Sequence, residues 1–432
     1  MKDNCQATQT VHNKGKKRGV LSLFSGCGGM DLGFEGGFKV RKASVNQELH
    51  PDWQGAEMPG DWIQLSETAF KTVFANDIKP EAKSAWVKFF GKKGEPAPYY
   101  VESIVDLVKA QKDMEQHVFP QNVDVVTGGF PCQDFSVAGK RKGFQSHKSH
   151  DGGVIGVDEP NVENRGQLYI WMREVISLTK PKVFIAENVK GLTNLSDAKE
   201  VIERDFSSIN GDSYLVIPAQ VLNAANFGVP QGRERVFFLG FKKSALTKQA
   251  LRELSKETID DQYMPYPEKT HYLDEEQKLS GQQKYVSVAQ ALAGLGEPEA
   301  SGDPSHRKYS KAKYMGKHCQ GQQEVKLEGI GPTIRSEHHG NIEFRRLSRE
   351  HGGRYEDELE QRMQERRLTV RECARLQTFP DEYEFILPKI ADLKSVSGSE
   401  AYKLIGNAVP PLLAYHIAKR LEENWKLYFG DD

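Results

Sequence analysis

A cysteine in the first third of the chain stands where a nucleophile could be held, in the sequence Val123-Asp124-Val125-Val126-Thr127-Gly128-Gly129-Phe130-Pro131-Cys132-Gln133. The β-branched residues predict a buried strand that ends at the two glycines. Pro131 has a fixed φ and restricts Phe130 to extended conformations, so the loop holds Cys132 at a set angle. Open α/β sheets carry their reactive groups at the carboxyl ends of strands. A lone cysteine is more often a small core residue, but this context and the segments below favour a nucleophile.

Charged side chains follow or precede other predicted strands. Glu187 comes directly after the apolar residues 183–186, and a carboxylate at the exit of a central strand is a candidate general acid. A helix cap or an ion pair is the commoner role for any single glutamate. Arg233 and Arg235 are two residues apart, so they share one face of an extended segment. Two guanidiniums on one face recognise phosphates or carboxylates.

A glycine-rich turn follows the first predicted strand, residues 20–24, and has the sequence Ser25-Gly26-Cys27-Gly28-Gly29. A strand, a glycine turn and a helix start predict the first unit of a nucleotide-binding fold, in which glycines let a ligand approach the backbone. The spacing differs from GxGxxG, so a nicotinamide, a flavin or S-adenosylmethionine all remain possible. Asp77 ends the second strand, where it is placed to accept hydrogen bonds from ribose hydroxyls or to cap the next helix.

The elements that must position these residues fit a chain of 432 residues, which is long enough for two domains. The formal net charge is −1, so any nucleic-acid surface must come from local clustering. Five scattered cysteines without a CxxC pair argue against a disulfide framework and a structural zinc site, and no metal is predicted. Residues 1–18 are polar and basic without a secretory signal, and no apolar run is long enough for a membrane span. A cytosolic protein is expected.

Composition changes at about residue 242. Residues 134–164 form a long polar stretch with Lys140, Arg141 and Lys142, and a loop of this length is usually functional. Residues 306–318 are rich in lysine and arginine with interleaved tyrosines, which indicates a nucleic-acid face or a solvated loop about equally. Residues 333–341 carry polar side chains able to reach base edges. A metal site at His338 and His339 is disfavoured because adjacent strand residues point opposite ways.

Taken in order, these segments resemble the motifs of C5-cytosine DNA methyltransferases. Each motif alone is weak, but their order is that of the family, and together they cover most of residues 20–240 and 367–430. The matching segments are 24–29, 76–78, 129–133, 187–189, 231–235, 371–380 and 406–411.

The resemblance implies an α/β fold with a Rossmann-like S-adenosylmethionine-dependent methyltransferase domain and a second, smaller target-recognition domain. Residues 1–18 would be a disordered basic tail, and residues 19–241 the catalytic and cofactor domain. That domain contains an insertion at about 41–70, to which the sequence assigns no role. Residues 242–366 would form the target-recognition domain, and residues 367–432 a C-terminal segment that completes the catalytic domain.

The resemblance also implies a site for S-adenosylmethionine. Its expected residues are Phe24, Ser25, Gly26, Cys27, Gly28, Gly29, Asp77, Ile78, Ser103, Ile104, Gly129, Pro131, Asn407, Ala408 and Val409. One position departs from the family pattern, because Ser103 stands where the family has an aspartate that contacts adenine. Adenine recognition is therefore expected to use Ser103, Glu102 or the backbone.

The implied catalytic residues are Cys132, Glu187, Arg233 and Arg235. Cys132 would add to C6 of a flipped-out cytosine, which makes C5 electron-rich. Glu187 would share a proton with N3, Arg233 would hold O2 or stabilise the developing charge, and Arg235 would support it or take a phosphate. After methyl transfer a base would remove the C5 proton and the thiolate would leave.

Double-stranded DNA is the implied partner. The expected contacts are Ser136, Lys140, Arg141, Lys142, Arg307, Lys308, Lys311, Lys313, Thr333, Arg335, His338, His339 and Asn341. The setting implied is a bacterial restriction–modification system, with a monomeric cytoplasmic enzyme near the nucleoid and a cognate endonuclease that does not form a stable complex with it.

Three alternatives differ in substrate or class. An RNA cytosine methyltransferase would keep the chemistry, but the long recognition segment favours DNA. A nicotinamide oxidoreductase would want GxGxxG and would leave the Pro-Cys loop unexplained. An inactive DNA-binding relative is disfavoured by the intact Cys132, Glu187 and Arg233.

Overall fold

The computed structural model describes residues 17–114, 116–131, 168–194, 198–336 and 342–431. The strands are β1 Arg18–Leu23, β2 Lys39–Arg41, β3 Gln54–Glu57, β4 Trp62–Leu65, β5 Phe70–Asn76, β6 Tyr99–Tyr100, β7 Val125–Gly129, β8 Val183–Val189, β9 Tyr214–Asn223, β10 Glu234–Lys242, β11 His271–Tyr272, β12 Gln283–Lys284, β13 Phe344–Arg346 and β14 Arg366–Arg367. The α-helices are α1 Gly29–Glu35, α2 Pro80–Phe90, α3 Ile104–Asp113, α4 Leu168–Thr179, α5 Ala198–Ser207, α6 Lys248–Leu254, α7 Val288–Leu292, α8 Pro304–Arg307, α9 Glu356–Glu360, α10 Val370–Leu376, α11 Gly398–Asn407 and α12 Pro411–Phe429.

The main sheet has seven strands in the order β6-β5-β1-β7-β8-β10-β9. The pairs from β6 to β8 are parallel, whereas β10 is antiparallel to both β8 and β9. The parallel strands therefore end at one edge of the sheet, and β10 begins at that same edge. This arrangement confirms the Rossmann-like α/β fold predicted from the sequence.

The parallel strands are apolar along their length because both faces of the sheet are covered. Alternate residues of β8 enter different cores: Val183 and Ile185 pack on one face, and Phe184 and Ala186 on the other. Runs of buried β-branched and aromatic residues thus have no polar face to expose, which explains why the sequence shows them as continuous apolar stretches.

The segment predicted as an insertion, 41–70, forms most of a three-stranded antiparallel sheet in the order β2-β4-β3. Asn46 lies in the loop before β3, and its amide donates to the carbonyls of Thr270 at 3.1 Å and Gly281 at 2.7 Å. The insertion therefore braces the chain that follows residue 242 against the first part of the main domain.

The end of the chain packs against its beginning. Helix α12 lies on α1, where a Cβ added to Gly33 would be 2.4 Å from the carbonyl oxygen of Pro411. Arg18 places its guanidinium 4.5 Å from the ring centroid of Trp425 in the same helix. The segment after residue 367 thus completes the layer on this face of the sheet.

Three histidines meet between the insertion, α12 and β11. The ring of His50 stacks on Trp53 with centroids 3.8 Å apart, and the His416 ring is 4.6 Å from Trp53. His271 Nδ1 lies 2.8 Å from the Thr270 hydroxyl, and its Nε2 lies 3.2 Å from the carbonyl oxygen of Ala43. Burial lowers the pKa of His50 and of His271 to about 4. Burial also lowers the pKa of His416, to well below its ordinary value.

Replacement of His271 by Asn should make the free energy of unfolding less dependent on pH. The folded-state pKa lies below the unfolded value, so the unfolded chain binds the proton first. Stability is complete above pH about 6.5 and is lost as the pH falls towards 4, by up to about 3 kcal/mol for this residue. Urea titrations between pH 7 and 4 measure the difference, with His117→Asn at an exposed position as the control. Equal pH dependence in wild type and His271→Asn would contradict this assignment.

Candidate functional site

The carboxyl ends of β1, β5, β7 and β8 bring the predicted site residues to one edge of the sheet. The glycine turn follows β1, Asp77 follows β5, and Phe130 and Pro131 follow β7. Glu187 lies near the end of β8, opposite Gly129 in the parallel register. Residues from segments more than one hundred positions apart in sequence are therefore adjacent here.

The turn after β1 presents its backbone to open space. Gly26 has a φ of 55°, and a Cβ built on it would meet no atom within 4 Å. Its amide donates to Asp77 Oδ2 at 3.1 Å, and the Ser25 amide donates to the carbonyl of Asn76 at 2.8 Å. A left-handed residue with an unobstructed approach is a position for glycine, and it fits a ligand lying against the backbone.

The buried carboxylate of Asp31 fixes this turn through hydrogen bonds. The sequence analysis did not assign this role. Asp31 is buried in the first turn of α1 and accepts hydrogen bonds from the hydroxyls of Ser22 at 2.5 Å and Ser25 at 2.6 Å. The indole of Trp86 donates to it at 2.7 Å. Burial raises the pKa of Asp31, and the three donors oppose that rise. An aspartate amid apolar residues just after a glycine turn was the available sequence signal.

Asp77 and Ile78 lie where the next loop leaves β5. The Asp77 carboxylate accepts from the amides of Gly26 and Lys79, the latter at 3.0 Å, so it ties the two loops together. Poor access to solvent raises the pKa of Asp77, and these hydrogen bonds oppose the rise. Ile78 leaves 40% of its surface exposed beside this carboxylate, an apolar face suited to a flat ring.

The third loop of the edge carries Ser103 and Ile104. Ser103 is the N-cap of α3, and its hydroxyl accepts from the Val105 amide at 3.3 Å. Ile104 is buried in the core. The amide of Asn76 donates to the carbonyl of Glu102 at 2.8 Å and so fixes this loop to β5. The residue in the position of the family's aspartate therefore caps a helix here, which the sequence interpretation did not assign.

Glu187 and Arg235 form a largely buried ion pair at the centre of the edge. The distance from Arg235 Nε to Glu187 Oε1 is 2.9 Å. A Cβ added to Gly129 would lie 2.9 Å from Glu187 Oε2, so the carboxylate stands directly against the backbone three residues before Cys132. Burial raises the pKa of Glu187, whereas the positive charges of Arg235 and Arg233 lower it. The amide of Asn188 donates to the carbonyl of Phe130 at 3.2 Å and fixes the same loop.

Arg233 is buried and contacts other parts of the chain. Its guanidinium donates to the carbonyls of Ile334 at 3.0 Å and Gly406 at 2.8 Å. The two arginines predicted to share one face thus have different surroundings, because residue 233 precedes β10 and residue 235 lies within it. Arg235 is the one paired with Glu187.

The segment around Asn407 closes the site from the far end of the chain. A Cβ on Gly29 would lie 2.3 Å from the carbonyl of Val409 and 3.1 Å from the Ala408 Cβ. The amide of Gln377 donates to the carbonyls of Ile405 at 2.7 Å and Ala408 at 3.1 Å. Val409 is buried, whereas Asn407 is exposed at the end of α11.

A second buried amide links this segment to the strand of the arginines. Gln231 donates to Gln377 Oε1 at 2.7 Å and accepts from the Ile334 amide at 2.9 Å. Sequence analysis missed both glutamines, since nothing in a single glutamine signals a partner 146 residues away.

The residues predicted to contact DNA are only partly described. The predicted contacts Arg307, Lys308, Lys311 and Lys313 are all exposed in the basic segment, residues 306–318. The Lys311 ammonium lies 3.5 Å from the ring centroid of Tyr309. Thr333 is half-buried and donates to the Gly232 carbonyl, and Arg335 lies 4.0 Å from Glu343. The predicted residues outside the described ranges are Cys132, Ser136, Lys140, Arg141, Lys142, His338, His339 and Asn341.

Cys27 and Cys373 are structural. Both are buried, and burial raises the pKa of both thiols, so neither forms a thiolate readily. Within the described ranges, no group of three or more histidine, cysteine, aspartate or glutamate side chains is placed to hold a metal ion. No helix in the described part of the chain is long and apolar enough to cross a membrane.

Comparisons with known proteins find a family model, sequence relatives and solved structures to which this chain is similar. A model of the family described as C-5 cytosine-specific DNA methylase matches residues 19–423. Type II methyltransferase M.BspRI of Lysinibacillus sphaericus is 31% identical over 435 residues, which cover 98% of this chain and 85% of that protein. Type II methyltransferase M.NgoFVII of Neisseria gonorrhoeae is 29% identical over 429 residues, covering 95% and 88%.

Two solved structures share the fold. The methyltransferase EhMeth of Entamoeba histolytica superposes with a TM-score of 0.55 at 14% identity, covering 95% of this chain and 100% of that one. The S. pombe Dnmt2 methyltransferase gives 0.51 at 19% identity, covering 94% and 99%. At these identities the likeness shows the fold alone.

Replacement of Asp31 by Asn should lower the free energy of unfolding by about 2–4 kcal/mol, because the amide turns one acceptor into a donor that faces three existing donors. Thermal and urea unfolding measure this loss. Asp106→Asn is the matched control, since Asp106 occupies the first turn of α3 but is exposed. A loss at Asp31 no larger than at Asp106 would show that the buried carboxylate does not hold the turn.

Proposed function

This chain belongs to the C-5 cytosine-specific DNA methylase family, and from that premise we propose that it transfers a methyl group from S-adenosylmethionine to C5 of a cytosine in duplex DNA. The observation that carries the proposal is the Glu187–Arg235 pair, held against the backbone of Gly129 just before the Pro-Cys loop. A proton donor and a cation thereby lie at the strand edge after which the sequence places the predicted thiol nucleophile, Cys132. Flavin or nicotinamide chemistry requires no such convergence.

The cofactor site that we propose runs across the strand edge from the glycine turn to Ile78. Open space at Gly26 fits a ligand against the backbone, and the Asp77 carboxylate has acceptor capacity for ribose hydroxyls. Ile78 offers an apolar face for adenine. When bound, S-adenosylmethionine supplies an electrophilic methyl group on a sulfonium.

Activation of the cytosine is assigned to Cys132 and Glu187. The thiolate of Cys132 adds to C6, so an S–C6 bond forms and the ring electrons move towards N3 and C5. Glu187 donates a proton at N3 and thereby keeps negative charge from building up on the ring. Burial raises the pKa of Glu187 and so favours the protonated form that this step needs. Once C5 carries the methyl group, water or hydroxide removes the C5 proton, and the electrons of that C–H bond re-form the C5–C6 double bond as the S–C6 bond breaks. The thiolate of Cys132 leaves, and Glu187 takes back the proton from N3.

Arg235 is assigned to orient Glu187 and to hold the O2 side of the ring, because it is the guanidinium in contact with that carboxylate. Arg233 is assigned a positioning role through the carbonyls of Ile334 and Gly406. This revises the order of the two arginines expected from the sequence. The change follows from the antiparallel register, in which Arg235 is opposite Val189 and close to Glu187.

Duplex DNA is the proposed substrate. Residues 242–366 are proposed to read it, together with the loop predicted at 134–164. The addition at C6 requires a face of the base that stacking covers, so the cytosine must leave the helix at a cost of a few kcal/mol. Exposed lysines around Tyr309 supply phosphate attraction that offsets part of this cost.

The setting proposed is a restriction–modification system, since the relatives M.BspRI and M.NgoFVII are named Type II methyltransferases. The methyl group would then protect host DNA from a cognate endonuclease. We propose a monomer that acts in the cytoplasm on nucleoid DNA and forms no stable complex with that endonuclease.

Transfer of label from radioactive S-adenosylmethionine tests the reaction on three acceptors: mixed-sequence duplex DNA, the same duplex with 5-fluorocytosine, and transfer RNA. Label on the duplex together with a trapped covalent adduct on 5-fluorocytosine is expected. Label on RNA alone would overturn the substrate, and absence of label from every acceptor with cofactor still bound would overturn the activity.

Cys132→Ala should abolish methyl transfer and adduct formation while DNA binding survives, because no other group supplies the electrons at C6. Cys319→Ala, at a half-exposed free cysteine, is the matched control and should transfer at the wild-type rate. Single-turnover rates and gel shifts on the same duplex measure the two properties. Turnover by Cys132→Ala near the wild-type rate would exclude the covalent scheme.

Glu187→Gln should lower the single-turnover rate by about 10²–10⁴-fold, the usual contribution of a positioned general acid. Arg235→Lys should also slow the reaction, because a single ammonium cannot orient the carboxylate as a planar guanidinium does. Lys190→Ala, which removes the exposed pair with Glu234 near the end of the same strand, should have little effect. A Glu187→Gln rate within tenfold of wild type would remove Glu187 from the proton transfer.

A further inference from the structure

Arg367 lies in β14 and is 1% exposed. Its guanidinium donates hydrogen bonds to backbone carbonyls of loops and not to carboxylates. Its Nε donates to the carbonyl of Ala312 at 2.9 Å, and Nη2 donates to the carbonyl of Lys313 at 3.2 Å. Nη1 donates to the carbonyls of Gly321 and Ile342. One guanidinium therefore joins three chain segments, at residues 312–313, 321 and 342.

Packing fixes the plane of this guanidinium. The Arg367 carbon Cζ lies 4.0 Å from the ring centroid of Phe344, the residue opposite it in the antiparallel pair β13–β14. A planar cation stacked on a ring and bonded at its edges has little freedom to rotate. The three loops are consequently held at fixed distances from one another.

Two of the three segments that Arg367 joins belong to, or directly follow, residues predicted to face DNA. Residues 312 and 313 lie within the basic segment, where Lys311 and Lys313 are exposed. Ile342 directly follows residues 337–341, whose polar side chains were predicted to reach base edges. The basic segment is also fastened to the start of α10, where the Val370 amide donates to the Lys308 carbonyl at 3.0 Å.

The neighbouring residue provides a contrast. Arg366 is equally buried but points to the other side of β14, where it pairs with Glu372 at 2.9 Å and with Glu297 at 3.2 Å. The Arg366 guanidinium joins a carboxylate of α10 to a carboxylate in the loop before α8. It therefore links helical elements of the fold and not the surface loops. Two adjacent arginines thus divide the tasks of joining framework elements and joining surface loops.

We propose that Arg367 is a positioning residue for DNA sequence recognition, which sets the spacing of the base-reading and phosphate-contacting loops without itself touching DNA. The inference rests on the proposed function, because it presumes that residues 242–366 read duplex DNA. Specific recognition requires that the loops be positioned to within about 0.5 Å of the geometry that contacts the base edges. Non-specific attraction to phosphates tolerates displaced loops. Loosening the three loops should therefore reduce discrimination more than it reduces attraction.

Arg367→Lys is the central variant, since an ammonium with three donors cannot serve four carbonyls in one plane. The cognate duplex is the one that contains the site labelled in the methyl-transfer assay, and the non-cognate duplex lacks that site. Relative to wild type, we expect the Kd for the cognate duplex to rise at least tenfold and the Kd for the non-cognate duplex to change less than threefold. The single-turnover rate at saturating cognate DNA should stay within threefold, and so should the affinity for S-adenosylhomocysteine. A raised KM for DNA with nearly unchanged kcat distinguishes positioning from general damage.

Arg366→Lys is the matched control, with the same chemical change one residue away. It should lower the melting temperature at least as much as Arg367→Lys while preserving the ratio of cognate to non-cognate Kd. Lys311→Ala with Lys313→Ala gives the third pattern, weaker binding to both duplexes and a smaller salt slope. Should Arg367→Lys prove insoluble, Phe344→Leu removes the ring beneath the guanidinium and should lower discrimination in the same direction.

The possible results distinguish failure of the proposed function from failure of the role assigned to Arg367. If wild type neither binds nor methylates duplex DNA, the proposed function fails before Arg367 is tested. If wild type discriminates and both Arg367→Lys and Phe344→Leu retain its discrimination, the inference is overturned while the function stands. An equal loss of discrimination in Arg366→Lys would also overturn it, because any disturbance of β14 would then have the same effect.

Discussion

The pairing of β7 with β8 is the constraint on which the site depends. In that parallel register Gly129 is opposite Glu187, so the carboxylate rests against the backbone just before the Pro-Cys loop. A shift by one residue would turn Glu187 to the other face of the sheet and would carry Val183–Ala186 out of their two cores. Apolar packing on both faces therefore fixes the position of a polar group, and β10 then brings Arg235 to it from the opposite direction.

The central fold was predictable because its signals are local. Runs of buried β-branched residues predicted strands at 20–24, 72–75, 123–126 and 183–186, and the structure has β1, β5, β7 and β8 there. Pro411 at the first turn of α12, and Thr369 with Glu372 in the capping box of α10, are local signals of the same kind. The sheet of residues 39–65 was not predicted, since its strands are three or four residues long and its turns carry no clear signal.

The candidate site was predictable in part. Motif order placed Asp77, Glu187 and the two arginines on the same edge, but it could not say which arginine pairs with the glutamate. That choice depends on where β10 begins. Asp31 lies outside the matching segments, and Gln231 and Gln377 lie inside two of them without an assigned role. Each is significant only through partners that folding brings near. Burial turns such residues into supports, and burial is a property of the whole chain.

The closure of the glycine turn by Val409 has a consequence for the order of events in the cell. Residues 405–429 are translated after every other part of the cofactor pocket, yet α1 cannot bury its inner face without α12. A nascent chain still on the ribosome thus lacks both the floor of the pocket and the partner of its first helix. The inner face of α1 therefore stays open to solvent during synthesis until α12 docks on it.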